Sequence, residues 1–256
     1  MKNIIVLFTL TLFIFSCSKE NDENTTTPEV STTFNFIHYW DETAVFKILF
    51  NIIQFTNANG DDLSITKLRY IVSKIAFQKA NGDDIVISGY NLVDVTNGTN
   101  LSFVPSTKIP IGNYSNVSFT FGFDDVYNSG NYPDLNSASW NVPEMLGGGY
   151  HYMQLEGKFI DENSNETGYA YHTIRAVDNT GSTLVLQDTS IEVNLGPVNI
   201  TQNVTFNIAM NIAEWFKNPN TWNLNELNNA LMPNYDAQIM MNENGQNVFS
   251  LESVIQ

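Results

Sequence analysis

The 256-residue chain holds three histidines, His38, His151 and His172, and one cysteine, Cys17. Each histidine lies in a run whose apolar residues recur at every second position. His38 shares parity with Phe34 and Phe36, His151 with Met153 and Leu155, and His172 with Ala170 and Ile174. Such alternation marks half-buried strands, so all three imidazoles are expected on the inward side. Neutral imidazoles that converge can bind copper or zinc, and a thioether shifts the preference towards Cu(I). Met145, Met153 and Met210 are the candidate thioethers. The spacing forms no compact motif, so the alternative for each ring is a hydrogen-bonded core histidine.

Other chemistry is weaker. The chain has no Gly-x-Ser-x-Gly elbow and no phosphate-binding glycine loop. Gly147-Gly148-Gly149 leads into a strand-like run, without the helix N-terminus a phosphate site needs. Asp124-Asp125 reads as a turn cap, and Glu156, opposite His151 in parity, reads as solvated. No set of nucleophile, base and orienting group stands out, so no enzyme activity is expected. Trp40, Trp140, Trp215 and Trp222 are read as core, or else as a sugar-stacking platform.

The elements that must position these residues are strands. Val204, Phe206, Ile208, Met210 and Ile212 alternate with polar residues, and Val117, Phe119, Phe121 and Phe123 share another face. Asn59-Gly60-Asp61-Asp62 and Asn81-Gly82-Asp83-Asp84 separate strand-like runs and suit hairpin tips. Without the spaced carboxylates and closing Glu of an EF-hand, a calcium loop is the poorer reading. One short helix is expected after Asn223, carried by Leu224, Leu227 and Leu231. The fold class predicted is all-β, an antiparallel β-sandwich with one short C-terminal helix, spanning 32–256 as one domain. The segment 127–149, rich in Asn, Ser, Gly and Pro, is long enough for a functional loop.

The N-terminus reads as an export signal. Lys2 precedes an apolar run from Ile4 to Phe15, shorter than the ~20 residues that span a bilayer. Ile14-Phe15-Ser16-Cys17 resembles a bacterial lipobox, which makes residues 1–16 a signal peptide and Cys17 the lipidated residue. Residues 17–31 read as a flexible tether, and their acidic run Glu20–Glu23 resembles a surface-export signal. An outer-membrane lipoprotein is expected, facing the periplasm or the cell surface. It touches the membrane through its anchor only, and an outer-membrane partner protein is unidentified. Eleven Lys and Arg against 27 Asp and Glu leave a net charge of -16. Such a surface repels phosphate backbones and excludes a nucleic-acid partner, while it attracts metal cations within about 8 Å at physiological salt.

An ordered series of motifs resembles the MbnP-like copper-binding family. It comprises Leu68-Arg69-Tyr70-Ile71-Val72-Ser73-Lys74-Ile75, Tyr90-Asn91-Leu92-Val93-Asp94, Ile111-Gly112-Asn113-Tyr114 to Phe121-Gly122-Phe123-Asp124, Gly149 to Gly157 with the ending Leu155-Glu156-Gly157, and Tyr171-His172. The tail Met210 to Phe216 with Asn218-Pro219 is similar to the family's closing strand and helix. The resemblance implies an exported β-sandwich that binds copper, Cu(I) or Cu(II) rather than zinc, for scavenging, storage or delivery. His38 and His172 are then the first ligands expected, His151 a third, and Met145 a fourth. Some relatives carry an oxidised tryptophan near the metal, for which Trp40 is the analogue. The run Trp140 to Leu146 departs from the family's Met-x-Trp-x-Trp. The rival expectation is a glycan- or protein-binding module that kept the sandwich and lost the metal.

Overall fold

The computed structural model describes residues 27–82 and 84–256. The segment expected to be a signal peptide, 1–16, and Cys17, expected to carry the lipid, lie outside the described residues, as does most of the expected tether. Glu29–Val30, at the tether's end, is already a strand, paired with Ile109–Pro110.

Nine strands are described: β1 (Thr32–Trp40), β2 (Lys67–Lys79), β3 (Tyr90–Asp94), β4 (Gly112–Phe121), β5 (Met153–Ile160), β6 (Glu166–Thr173), β7 (Ile191–Ile200), β8 (Val204–Asn211) and β9 (Phe249–Ile255), besides shorter pieces. One sheet runs β7-β4-β2-β5, with β6 on β5 and β3 on β2. The second runs β9-β8-β1. Pairing is antiparallel throughout except β8 with β1, which is parallel. Period-2 burial follows the sequence pattern. Every second residue of β1, from Thr32 through Phe34, Phe36 and His38 to Trp40, is buried.

The core forms where the two sheets face each other. Phe34 stacks on Phe206 at 5.1 Å between ring centroids. Phe36 meets Tyr70 of β2 and Phe119 of β4 edge-on, at 6.1 and 6.3 Å. Both Asn-Gly sequences are hairpin tips: Phe55 pairs with Leu63 and Gln78 with Asp84. Gly60 and Gly82 take φ near +90°, which a Cβ disfavours.

The first of these tips also pins the C-terminal segment. The buried Asp61 carboxylate accepts from Asn57 Nδ2 (2.9 Å), the Leu224 amide (3.0 Å) and Asn225 Nδ2 (3.1 Å). Asp61→Ala should therefore cost about 2–3 kcal/mol in urea unfolding, because buried donors lose a charged acceptor. A loss below about 0.5 kcal/mol contradicts this role.

The bond from Leu224 to Asp61 falls in the stretch where a helix is expected. The expected helix at 224–231 is not formed, and that stretch is a series of turns with Leu224 and Leu231 buried. The C-terminal helix is α1 (Tyr235–Gly245), capped by Asn234. It docks through buried amides rather than an apolar stripe. Gln238 donates to the carbonyls of His172 and Leu231 and accepts from the Ile174 amide. Asn244 donates to the Trp215 carbonyl.

Candidate metal centre

The larger sheet has two faces, and they divide the histidines. Directly paired residues on neighbouring strands point to the same side. Tyr70 pairs with Met153, and Arg69 with Gln154, which in turn pairs with His172. Tyr70 and Met153 face the core, so Arg69, Gln154 and His172 face outward.

His38 belongs to the inner side. Its Nε2 lies 3.0 Å from the Tyr70 hydroxyl, and the ring is 4% exposed. Burial lowers its pKa to about 4. Met210 sits beside it on β8, buried. The sheet thus lies between His38 and the other two rings, and the expected meeting of three imidazoles is corrected to a pair.

That pair is His151 with His172, ring centroids 5.2 Å apart and planes nearly perpendicular. The inward parity expected for His172 is overturned. Tyr169 and Tyr171 take the buried positions of β6, because their hydroxyls find the carbonyls of Ser64 and Trp215 at 2.9 Å. His151 precedes the first residue of β5, so strand parity does not reach it.

His151 is held by the loop above it. Two single helical turns, Asp125–Asn128 and Pro133–Ser137, fold segment 127–149 back over the sheet. Asp124 caps the first turn by accepting from the Tyr127 amide, and its ion pair with Lys74 is 2.6 Å long. The Tyr150 hydroxyl accepts from the Tyr132 amide and bonds the Asn136 side chain, which fixes the second turn. The Trp140 carbonyl then accepts from both the His151 amide (3.0 Å) and His151 Nδ1 (2.9 Å).

These contacts fix both tautomers. A carbonyl only accepts, so the His151 ring hydrogen is on Nδ1 and the lone pair is on Nε2. Nε2 is buried and has no hydrogen-bond partner among the described residues. Burial, against a bond to Trp140 that acts the other way, lowers the His151 pKa to about 4. The ring is neutral at physiological pH, with its lone pair free. His172 Nε2 lies 2.9 Å from Glu156 Oε1. That bond, with Lys67 at 2.7 Å from the same oxygen, lowers the Glu156 pKa to about 2. The carboxylate therefore accepts, His172 donates from Nε2, and in the neutral ring the lone pair is on Nδ1. Glu156, expected to be solvated, is the group that orients His172.

The remaining candidates lie elsewhere. Met145 is 78% exposed in the turn Glu144–Leu146, so it supplies no thioether to a buried pocket. Met153 is buried on the core face. The indole beside the pair is Trp140, 5.8 Å from His151 and under the Arg69 guanidinium, rather than Trp40, which stacks on Phe55. All four tryptophans are at most 6% exposed, so they form no stacking platform for sugars. Among the described residues no group of three His, Cys, Asp or Glu side chains comes together as a metal cage. What the site offers is two oriented nitrogen donors. Orientation of each ring by an acceptor on its other nitrogen is the usual support of a metal-bound histidine.

Sequence reasoning missed Arg69, Gln154 and Glu156 as site residues. Their signal was available in the polar positions that alternate with Leu68, Tyr70, Met153 and Leu155 on adjoining strands.

The fold and site define a two-sheet β-sandwich with an oriented imidazole pair under a capping loop. The chain belongs to the MbnP family, whose model matches residues 29–240. Among solved structures, MbnP from Methylosinus trichosporium is similar at 14% identity over 71% of this chain and 76% of that one, with a TM-score of 0.49. Comparison with curated proteins gives no match.

Proposed function

We propose that this chain is an exported, lipid-anchored copper-binding protein that holds its metal on His151 and His172. The observation that carries the proposal is the pair of fixed tautomers: each ring gives one hydrogen to an acceptor and turns a lone pair free. Membership of the family supports copper as the metal. So does the donor count, since zinc sites use three or four protein ligands whereas this site offers two nitrogens. Imidazoles suit copper, and Cu(II) binds such donors more tightly than Zn(II). Either oxidation state is compatible with the pair, water completing the shell of Cu(II). Glu156 and the Trp140 carbonyl orient the ligands, while Arg69 and Trp140 cover them.

Export and anchoring rest on the lipobox-like sequence before Cys17, and they place the site in the envelope, where scavenging, storage or delivery of copper is the expected role. Elemental analysis of the protein purified from its native envelope tests this reading. Copper in excess of zinc is expected, and a preparation in which zinc dominates contradicts it.

A further inference from the structure

His38 has no part in the copper site, yet its surroundings form a site of another kind. It lines a cleft of about 230 Å³ whose walls are Phe36, Val45, Val95 and Leu101, with Lys47 also bordering it. The phenol of Tyr70 is fully buried, and burial holds its pKa well above the ordinary value, so it keeps its hydrogen. Its one hydrogen-bond partner among the described residues is His38 Nε2, so the phenol donates and the imidazole hydrogen sits on Nδ1. Nδ1 in turn has no partner among the described residues. His38, 4% exposed, therefore keeps a donor on Nδ1 that is not sealed in the core but open to the apolar cleft it lines.

Two further features bear on the occupant. Phe46 lines the same cleft yet leaves 62% of its surface exposed, apolar area that a ligand would cover. Lys47 makes no ion pair among the described residues, although the chain carries a net charge of -16. Apolar walls with a few convergent polar groups are the usual make-up of a small-molecule site.

We infer that the cleft binds a single-ring aromatic carboxylate. The ring lies between Phe36, Val95 and Leu101, the carboxylate meets Lys47, and an acceptor opposite the carboxylate takes the Nδ1 hydrogen of His38. This inference is independent of the copper site.

The test is equilibrium titration of the mature protein with 4-hydroxybenzoate, benzoate and acetate, followed by the His38 imidazole resonances in ¹⁵N-detected spectra. Saturable binding of 4-hydroxybenzoate is expected at about 1 mM, the range for a ligand of this size, with a shift of the His38 signals. Benzoate, which lacks the inner acceptor, should bind several-fold more weakly, and acetate should not bind. Lys47→Met, a change at an exposed position, should weaken 4-hydroxybenzoate about tenfold, the loss expected of a charged contact. No saturable binding overturns the proposal, as does equal affinity in Lys47→Met or binding that leaves His38 unshifted. Self-association that buries Phe46 and blocks the titration would assign the cleft to a second copy of the chain and overturn the ligand.

Discussion

Metal-free protein should lose most of its stability between pH 6.5 and pH 4. His38 and His151 each have a pKa of about 4 in the folded state against 6.5 when exposed. Above pH 6.5 both states are neutral and the full stability is present. Below it the unfolded chain takes up two protons that the folded chain refuses. Stability then falls with pH until the folded rings titrate near pH 4. At about 1.4 kcal/mol per unit shift the two residues together withdraw at most about 7 kcal/mol, within the 5–15 kcal/mol that stabilises a typical domain. Glu156 acts lower on the scale. Its folded pKa is depressed to about 2, so its contribution is present above pH 4.5 and is lost as pH falls towards 2. Urea unfolding at pH 7, 6, 5 and 4.5 measures the slope. His38→Gln, which keeps an acceptor for the Tyr70 hydroxyl, should roughly halve it. A wild-type stability that is flat from pH 6.5 to 4 contradicts the assignment of two buried neutral imidazoles.

Gly157→Ala should be among the most damaging single substitutions. Gly157 lies on β5 where Ser64, just past the short strand Asp62–Leu63, passes close. A Cβ there would stand 1.9 Å from the Ser64 carbonyl oxygen and 2.6 Å from a ring carbon of Tyr169. The carbonyl cannot retreat freely, since it accepts from the Tyr169 hydroxyl at 2.9 Å and the Ser64 amide is bonded to Lys158 at 2.7 Å. Relief requires the backbone of β5 or its neighbour to shift, at a cost of about 3 kcal/mol. The neighbouring residue is Glu156, so the same shift should loosen the orientation of His172. Denaturant unfolding of Gly157→Ala that shows a loss below about 1 kcal/mol would reject this close approach.

Much of the fold was legible because strands with one buried face write their period into the sequence. The alternation of β1 and β8 and the two Asn-Gly tips fall where the sequence places them. The helix was misplaced because α1 buries amides, Gln238 and Asn244, in place of an apolar stripe, while the leucines at 224, 227 and 231 serve turns held by Asp61 and Asn223. The site was half legible. Parity assumes that the apolar residue is the buried one, yet on β6 two tyrosines with satisfied hydroxyls displaced that rule and turned His172 outward. Parity also holds only within a strand, and His151 stands before one begins. The motif residues Arg69 and Glu156 proved to border the pair, a placement that strand pairing supplies and sequence spacing alone does not.

Copper is proposed to be held by His151 and His172 and not by His38. Copper stoichiometry of the purified protein and of three variants, His151→Ala, His172→Ala and His38→Ala, measured at equal free copper, tests this directly. One copper per chain is expected in the parent and in His38→Ala, with a drop of at least tenfold in affinity in each of the other two. Loss of copper in His38→Ala, with His151→Ala and His172→Ala still loaded, would contradict it.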